Sequence, residues 1–287
     1  MKRKKESFKR IRNLVGEEMV IKPSSGFIPI NFRDFIIYRE LFYFFAWKEI
    51  KARYKQTALG FVWAFLKPFI SIVIFTVVFG NIVKVPSEDI PYPLFCLSGL
   101  VLWNYFSYSL LNSSACLIAN QSLITKVYFP RIVFPCSYSL SGIYDYLISL
   151  LFLGCMMLYY SYQPSIYLLL LPVVLLTATL TSIGLGLWLS AMSVKYRDIQ
   201  YIIPFFIQLL LFMTPVIYPS SIITGKYRFL LYLNPMSGVI DVHRICILGN
   251  RNMDLKLLGI SLLVSLVIFV SGLYFFKRME RYFADII

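Results

Sequence analysis

The chain has 287 residues, of which 59% are apolar and only 15% charged, and its mean hydropathy is +0.71. Soluble globular chains are usually about 45–50% apolar and about 25% charged. The composition therefore excludes a disulfide-rich secreted scaffold, a disordered chain and an ordinary cytosolic enzyme, and it predicts a polytopic membrane protein. The formal net charge is +14, from 28 Lys+Arg and 14 Asp+Glu.

The N-terminal part is predicted to be a cytosolic basic tail over residues 1–30, followed by a helix over 31–57. Asn31 can cap this helix, with Asp34 three residues later. Charged residues share one third of its circumference, and aromatic and apolar residues lie largely opposite. This pattern is typical of an amphipathic helix at the membrane interface, and a helix packed on a neighbouring element is the alternative. The charged group is Arg33, Glu40, Lys48, Lys51 and Lys55, and the other group is Phe35, Phe42, Tyr43, Ile50 and Tyr54.

Six apolar segments follow that are long enough to cross a membrane, since a spanning helix needs about 20 mostly apolar residues. The second is a weak span, because Asn104 and Asn112 are among several polar residues in it, and it is expected to face protein rather than lipid. Pro68 and Pro204 lie near the starts of the first and fifth spans, where proline is tolerated. The predicted spans are 58–83, 93–118, 133–160, 165–193, 199–218 and 257–276.

The distribution of basic residues predicts the orientation, because loops on the cytosolic side carry an excess of Lys and Arg. With the N-terminus inside, the cytosolic segments hold 21 Lys+Arg and the outer segments hold six. Both termini are therefore predicted to be cytosolic, which agrees with an even number of spans.

The segment 219–256 is too long for a turn and too often interrupted for a span, since prolines and glycines divide its apolar patches. Short re-entrant helices that dip into the outer leaflet fit this pattern if protein covers their polar backbone groups. An ordinary extracellular loop is the alternative.

Asp145 is the only acidic residue predicted to lie well inside a span. Carboxylates inside the membrane are candidates for a functional role, and a structural residue hydrogen-bonded between helices is the alternative. No basic residue of the same span can pair with it, although Tyr144 and Tyr146 are near in sequence. A proton-coupled transporter built on Asp145 is therefore one possible function.

Aromatic residues make up 17% of the chain, and the first and fifth spans are rich in them. Sugar rings have flat C–H faces that stack on aromatic planes, so a pore lined in this way suits weak, repeated contacts with a sliding glycan. Interface belts and lipid-facing bulk are the alternative. The candidate channel-lining residues are Trp63, Phe65, Phe69, Tyr201, Phe205 and Phe212.

Four cations lie within eight residues before the first span, at Lys48, Lys51, Arg53 and Lys55. Cations at the inner leaflet attract anionic headgroups, and they can also hold a diphosphate. Simple anchoring of the span is equally compatible with the pattern.

Several blocks of the sequence occur in a fixed order. Residues 51–68 read KARYKQTALGFVWAFLKP, residues 194–199 read VKYRDI and residues 214–219 read TPVIYP. Residues 234–236 read NPM and are followed by Asp241 and Arg244, and residues 280–285 read ERYFAD. Together these blocks resemble the first span, the fifth span, the following re-entrant segment and the tail of polysaccharide-exporting ABC permeases of the type-2 exporter class.

The resemblance implies a homodimer in the bacterial inner membrane that works with two copies of a separate ATP-binding subunit. It implies a channel lined by spans one and five, and a polysaccharide cargo on an undecaprenyl-diphosphate lipid. It also implies that the loop 119–132 docks on the ATP-binding subunit. The residues expected in these roles are Lys126, Tyr128 and Arg131 for coupling, and Arg53, Tyr54, Lys55 and Lys67 for the lipid diphosphate or the gate.

The sequence has no GxxxxGK[ST] phosphate-binding loop. ATP and Mg²⁺ are therefore expected on the partner subunit, with no cofactor, metal site or catalytic site in this chain. Nucleic acid is not expected as a partner, because the basic residues are explained by membrane orientation. The alternatives are export of teichoic acid, a drug or a simple lipid by the same class of transporter, and an integral membrane enzyme that modifies glycans.

Overall fold

The computed structural model describes residues 37–55, 62–127, 129–223, 225, 228–249, 255–280 and 283, and most of these residues are helical. No strand occurs among these residues. All of them belong to one unit, Asn31–Ile287. The predicted tail 1–30, the start of the 31–57 helix and the coupling residue Tyr128 lie outside the described residues.

The helices follow one another with short connections. In chain order they are α1 (Arg39–Lys55), α2 (Val62–Phe75, continued by a π-helical turn over Thr76–Ile82), α3 (Tyr92–Ala119), α4 (Gln121–Ile124), α5 (Val133–Tyr159), α6 (Leu171–Lys195, preceded by a 3-10 turn over Ile166–Leu170), α7 (Ile199–Met213), a 3-10 turn over Ser220–Ile222, α8 (Arg228–Leu233), α9 (Pro235–Leu248) and α10 (Leu255–Met279).

Five helical segments of the described chain are long and apolar enough to cross a membrane, and α7 is a shorter apolar helix. The prediction of an all-helical protein with several membrane-spanning helices is therefore confirmed. The five long segments are Val62–Ile82, Tyr92–Ala119, Val133–Tyr159, Ile166–Lys195 and Lys256–Met279.

Helix α7 ends at Met213, whereas the span was predicted to continue to residue 218. The cause is Pro215, because a proline pushes the preceding residue out of the helical region of backbone conformation. Thr214 accordingly has φ −99° and ψ 137°. The chain after Met213 is therefore irregular.

Helix α3 is at the centre of the bundle, where it packs against α5 and α6. Most of it is buried, as its polar residues predict, and buried serines such as Ser98 and Ser109 lie on it. Helix α6 in turn packs closely on α10. A Cβ atom on Gly184 would lie 2.7 Å from the Cα atom of Phe269, so only glycine permits this approach.

Helix α1 packs on α5 through Phe42, Phe45 and Ala46, which are buried. Tyr43 and Trp47, by contrast, are exposed. The helix is thus packed on a neighbouring element, and its predicted position at the membrane interface stays a prediction.

The segment predicted as re-entrant or as a loop contains two helices, α8 and α9. The second is buried along nearly its whole length and packs on α3, α6 and α10. Its bounds follow from sequence: the Asn234 side chain accepts from the Met236 N–H at 3.1 Å, Pro235 is the first helical residue, and Gly249 closes the helix with φ 63°. Its depth in the membrane stays a prediction.

Candidate functional site

A cavity of about 780 Å³ lies between the end of α1 and helices α2, α3 and α5. We call it the Arg53 cavity. Its lining combines charged, amide and hydroxyl groups with aromatic rings. The polar and aromatic residues in the lining include Arg53, Tyr54, Trp63, Lys67, Asn104, Tyr105, Tyr108, Asp145 and Tyr146.

Three helices meet at the Asp145 carboxylate in this cavity. Arg53, from the last turn of α1, forms an ion pair with its Oδ2 atom, and the Tyr54 hydroxyl donates to its Oδ1 atom. Arg53 also donates from Nη2 to the hydroxyl of Tyr108 on α3, and its guanidinium carbon lies 4.0 Å from the centre of that ring. Arg53 and Tyr54 therefore connect the end of α1 to α5 through Asp145, and Arg53 also connects it to α3 through Tyr108.

Burial raises the pKa of Tyr54 above its ordinary value and outweighs the opposite effect of the Arg53 charge. The Tyr54 hydroxyl is thus kept protonated and can donate to Asp145. The ion pair is not sealed from solvent, since the side chains of Arg53 and Asp145 are 22% and 30% exposed.

The charge of the Arg53 cavity is positive. Among the described residues that line it, Arg53 and Lys67 are cations and Asp145 is the acid. Lys55 follows at the end of α1 but is exposed and is not among the lining residues. Of the four residues predicted for the lipid diphosphate or gate, three therefore meet in one cavity.

The candidate channel-lining aromatics lie on two helices with largely exposed faces. Trp63 lines the Arg53 cavity, Phe65 contacts Phe152 with ring centres 6.4 Å apart, and Phe69 lines a smaller cavity of about 250 Å³. The three candidates on α7 are all exposed, and Tyr201 is the most exposed of them at 83%. The three are Tyr201, Phe205 and Phe212. Their role in a channel stays a prediction.

The loop predicted to meet an ATP-binding subunit is fastened to the end of α10. Arg131 donates from its backbone N–H to the Glu280 carboxylate at 3.2 Å and from Nη1 to the Glu280 carbonyl at 2.7 Å. The guanidinium of Arg131 also lies 5.7 Å from the ring centre of Phe283. Lys126 is exposed. Arg131 thus positions the loop from within the chain, and the docking role of both residues stays a prediction.

A second arginine, Arg244 of α9, is buried. Arg244 donates from Nη2 to the carbonyls of Pro215 and Val216, at 3.2 and 2.9 Å. Its guanidinium carbon lies 3.8 Å from the ring centre of Phe95, and its Nη1 lies 3.9 Å from Asp241. The side chain is only 2% exposed. It connects α9, α3 and the irregular chain after α7.

His243, the residue of α9 that precedes Arg244, connects α9 to α3 and α5. Its Nδ1 lies 2.8 Å from the Ser98 carbonyl, which can only accept, so Nδ1 carries the proton. Its Nε2 then accepts from the Tyr146 hydroxyl at 3.0 Å. The residue is fully buried as a neutral connector, and Tyr146, which sequence reasoning considered near Asp145, bonds to it instead.

Sequence reasoning missed the basic partner of Asp145, because that partner lies on a different helix. That partner is Arg53, whose neighbour Tyr54 also bonds to Asp145. Tyr54 and Asp145 are separated by 91 residues, and no local pattern connects them. It also missed Tyr108 and Asn104, which line the cavity from α3. The sequence contained a signal for these two residues, because Asn104 and Tyr108 are four residues apart and therefore share one face of a helix.

A second cavity, of about 700 Å³, lies between α6, α7, α10 and several described residues between Tyr218 and Met236. Its lining is mostly apolar. It contains Phe206 but not the three predicted channel-lining residues of α7.

Comparison with known proteins gives consistent matches along most of the chain. Residues 40–248 match the family described as ABC-2 type transporter. The O-antigen export system permease protein RfbA of Myxococcus xanthus is 30% identical over 256 residues, which cover 88% of this chain and 97% of the relative. RfbA of Klebsiella pneumoniae is 26% identical, with 84% and 92% covered. The polysialic acid transport protein KpsM of Escherichia coli is 25% identical, with 82% and 91% covered.

Proposed function

This chain belongs to the ABC-2 type transporter family, and on that basis we propose that it forms the membrane channel of an ATP-driven polysaccharide exporter. The cargo class comes from relatives that are named for O-antigen export and for polysialic acid transport. Both names describe polymers of sugars. The resemblance found in the sequence blocks is confirmed by these relatives.

The ATP-binding subunit is a separate chain in this proposal. Two copies of the permease form the channel, and two copies of the partner bind ATP and Mg²⁺. The absence of a GxxxxGK[ST] phosphate-binding loop from the sequence supports ATP binding on a separate subunit. The channel lies in the bacterial inner membrane with both termini in the cytosol, as the excess of Lys and Arg on that side indicates.

The cargo lipid is undecaprenyl diphosphate, and its head enters the Arg53 cavity. The observation that carries this assignment is the meeting of Arg53 and Lys67 with Tyr54 and Trp63 in one cavity. Guanidinium and ammonium groups bind phosphate oxygens, and the neighbouring rings offer planes on which the first sugars can stack. The polymer then slides past the exposed aromatics of α2 and α7.

The test uses the permease reconstituted with its ATP-binding subunit in vesicles. We expect an undecaprenyl-diphosphate-linked glycan to stimulate ATP hydrolysis, and the double variant Trp63→Ala/Phe69→Ala to lower this stimulation and export roughly tenfold. Tyr159→Ala is the matched control, because Tyr159 is an exposed aromatic of α5 outside the Arg53 cavity.

Two results would contradict different parts of the proposal. If the lipid-linked glycan leaves ATP hydrolysis at its basal rate, the permease does not export this cargo. If the double variant works like the control, the channel does not run past Trp63 and Phe69.

A capsule-type acidic polysaccharide is the second candidate cargo, since one relative is named for polysialic acid transport. The same vesicles distinguish the two cargoes when they are supplied with either a neutral or an acidic lipid-linked glycan.

A further inference from the structure

Asp145 lies near the middle of the 27-residue helix α5, where a carboxylate is costly unless it is paired or faces water. Here it pairs with Arg53, and its side chain is partly exposed to the Arg53 cavity. Each of its oxygens is engaged, Oδ2 by Arg53 and Oδ1 by the hydroxyl of Tyr54. The donors that surround Asp145 therefore form a ready-made site for an oxyanion.

These donors are the same groups that a phosphate would use. A guanidinium presents its N–H groups in a planar fork that fits carboxylate and phosphate equally well. A phosphate oxygen that enters the cavity must therefore compete with the Asp145 carboxylate for Arg53 and Tyr54. A diphosphate carries more than one negative charge, so it also draws on Lys67, the second cation in the lining.

We propose that Asp145 is a resident counter-ion that occupies the oxyanion donors of Arg53 and Tyr54 in the empty transporter and is displaced by the arriving diphosphate. This inference rests on the proposed function, because it assumes that a lipid diphosphate enters the cavity. In the empty transporter the carboxylate satisfies these donors, and it keeps anions of lower charge from binding to them. Loading therefore replaces the Asp145 carboxylate with the diphosphate as the partner of Arg53 and Tyr54.

The exchange has a mechanical consequence for α1. The N-terminal half of α1 stays packed on the bundle through Phe42, Phe45 and Ala46, whereas its C-terminal end is held to α5 through Arg53 and Tyr54. Displacing Asp145 therefore removes the polar contacts of one end of α1 with α5, leaves its contact with Tyr108 of α3, and leaves the packing of the other end in place. Phe45 stacks on Phe129 of the loop predicted to meet the ATP-binding subunit, with ring centres 6.0 Å apart. The part of α1 that stays in place therefore lies between the released end and that loop.

The test measures binding of farnesyl diphosphate to the full chain with its ATP-binding subunit in phosphatidylcholine nanodiscs, with farnesol as the uncharged comparison. We expect Asp145→Asn to tighten farnesyl diphosphate binding about tenfold, because the internal competitor is removed while the shape is kept. Arg53→Gln should abolish binding, and Asp145→Asn should give no gain in the Arg53→Gln background. Asp198→Asn is the matched control, since it removes one exposed carboxylate outside the cavity.

The outcomes separate this inference from the proposed function. If binding depends on Arg53 but Asp145→Asn leaves it unchanged or weaker, the counter-ion role is overturned and the diphosphate site stands. If wild type and Arg53→Gln bind equally, the diphosphate site itself is wrong.

A second measurement needs no variant. Amide hydrogen exchange in residues 49–55 should become severalfold faster when farnesyl diphosphate is added to the wild-type complex, while exchange in 42–46 stays constant. Faster exchange at the end of α1 supports displacement of Asp145. Slower or unchanged exchange there means that α1 keeps its hold on α5, and it overturns the inference.

Discussion

Two arginines of this protein contact similar groups but differ in how exposed they are. Arg53 and Arg244 each lie over an aromatic ring, at 4.0 and 3.8 Å, and each has an aspartate nearby. Arg244 is buried and donates to main-chain carbonyls, which no ligand can replace. Arg53 is partly exposed and donates to side chains around a cavity. The first arrangement suits a permanent structural bond, and the second suits an exchangeable one.

The largest effect that tests this contrast is expected at Arg244. Arg244→Ala removes the donors of the Pro215 and Val216 carbonyls and leaves Asp241 without its cation. We expect a loss of about 3 kcal/mol or more in stability, measured as thermal unfolding in detergent. Arg197→Ala, at an exposed arginine, should stay within about 0.5 kcal/mol of wild type. Equal unfolding of both variants would remove the structural role of Arg244.

A smaller effect is expected at His243, which belongs to the same buried region. His243→Phe leaves the buried Tyr146 hydroxyl without an acceptor, so stability should fall by about 2 kcal/mol. Adding Tyr146→Phe removes the unsatisfied hydroxyl, and the double variant should regain part of the loss. Strictly additive losses in the thermal unfolding of the two single variants would show that the two side chains do not depend on each other.

The smallest change in stability is expected at Arg53. Arg53→Ala breaks an ion pair that is open to the cavity, and the stability should change by no more than about 1 kcal/mol. The same variant should lose glycan-stimulated ATP hydrolysis in vesicles. A variant that unfolds as readily as Arg244→Ala would erase the difference between the two arginines.

The spanning helices were predictable because hydropathy is a local property. The second span was expected to face protein from its polar residues alone, and α3 is indeed buried at the centre of the bundle. The early end of α7 was also within reach, since Pro215 restricts Thr214, but the apolar character of residues 214–218 concealed it.

The candidate site was predictable in its cations and not in its geometry. Arg53 could be selected because it lies just before the first span, where anionic headgroups lie, and Lys67 because it lies near the start of that span. The pairing of Arg53 and Tyr54 with Asp145 depends on how α1 packs against α5, a tertiary contact between distant parts of the sequence. Short helices were predicted over 219–256, as one of two alternatives, from the prolines and glycines that interrupt its apolar patches. The burial of Arg244 and His243 could be seen only in the folded structure.

The early end of α7 has a further consequence for the membrane around it. A helix of 15 residues is about 22 Å long, whereas the hydrocarbon core of a bilayer is about 30 Å thick. For the predicted fifth span to cross the bilayer, the difference would have to be covered by non-helical chain, whose carbonyl groups need hydrogen-bond donors from the protein where water is absent. Arg244 solvates Pro215 and Val216, and the Tyr92 hydroxyl solvates Ile217 at 2.9 Å. These side chains take the place of water along a short irregular segment, and they would allow the predicted fifth span to be completed without a full-length helix.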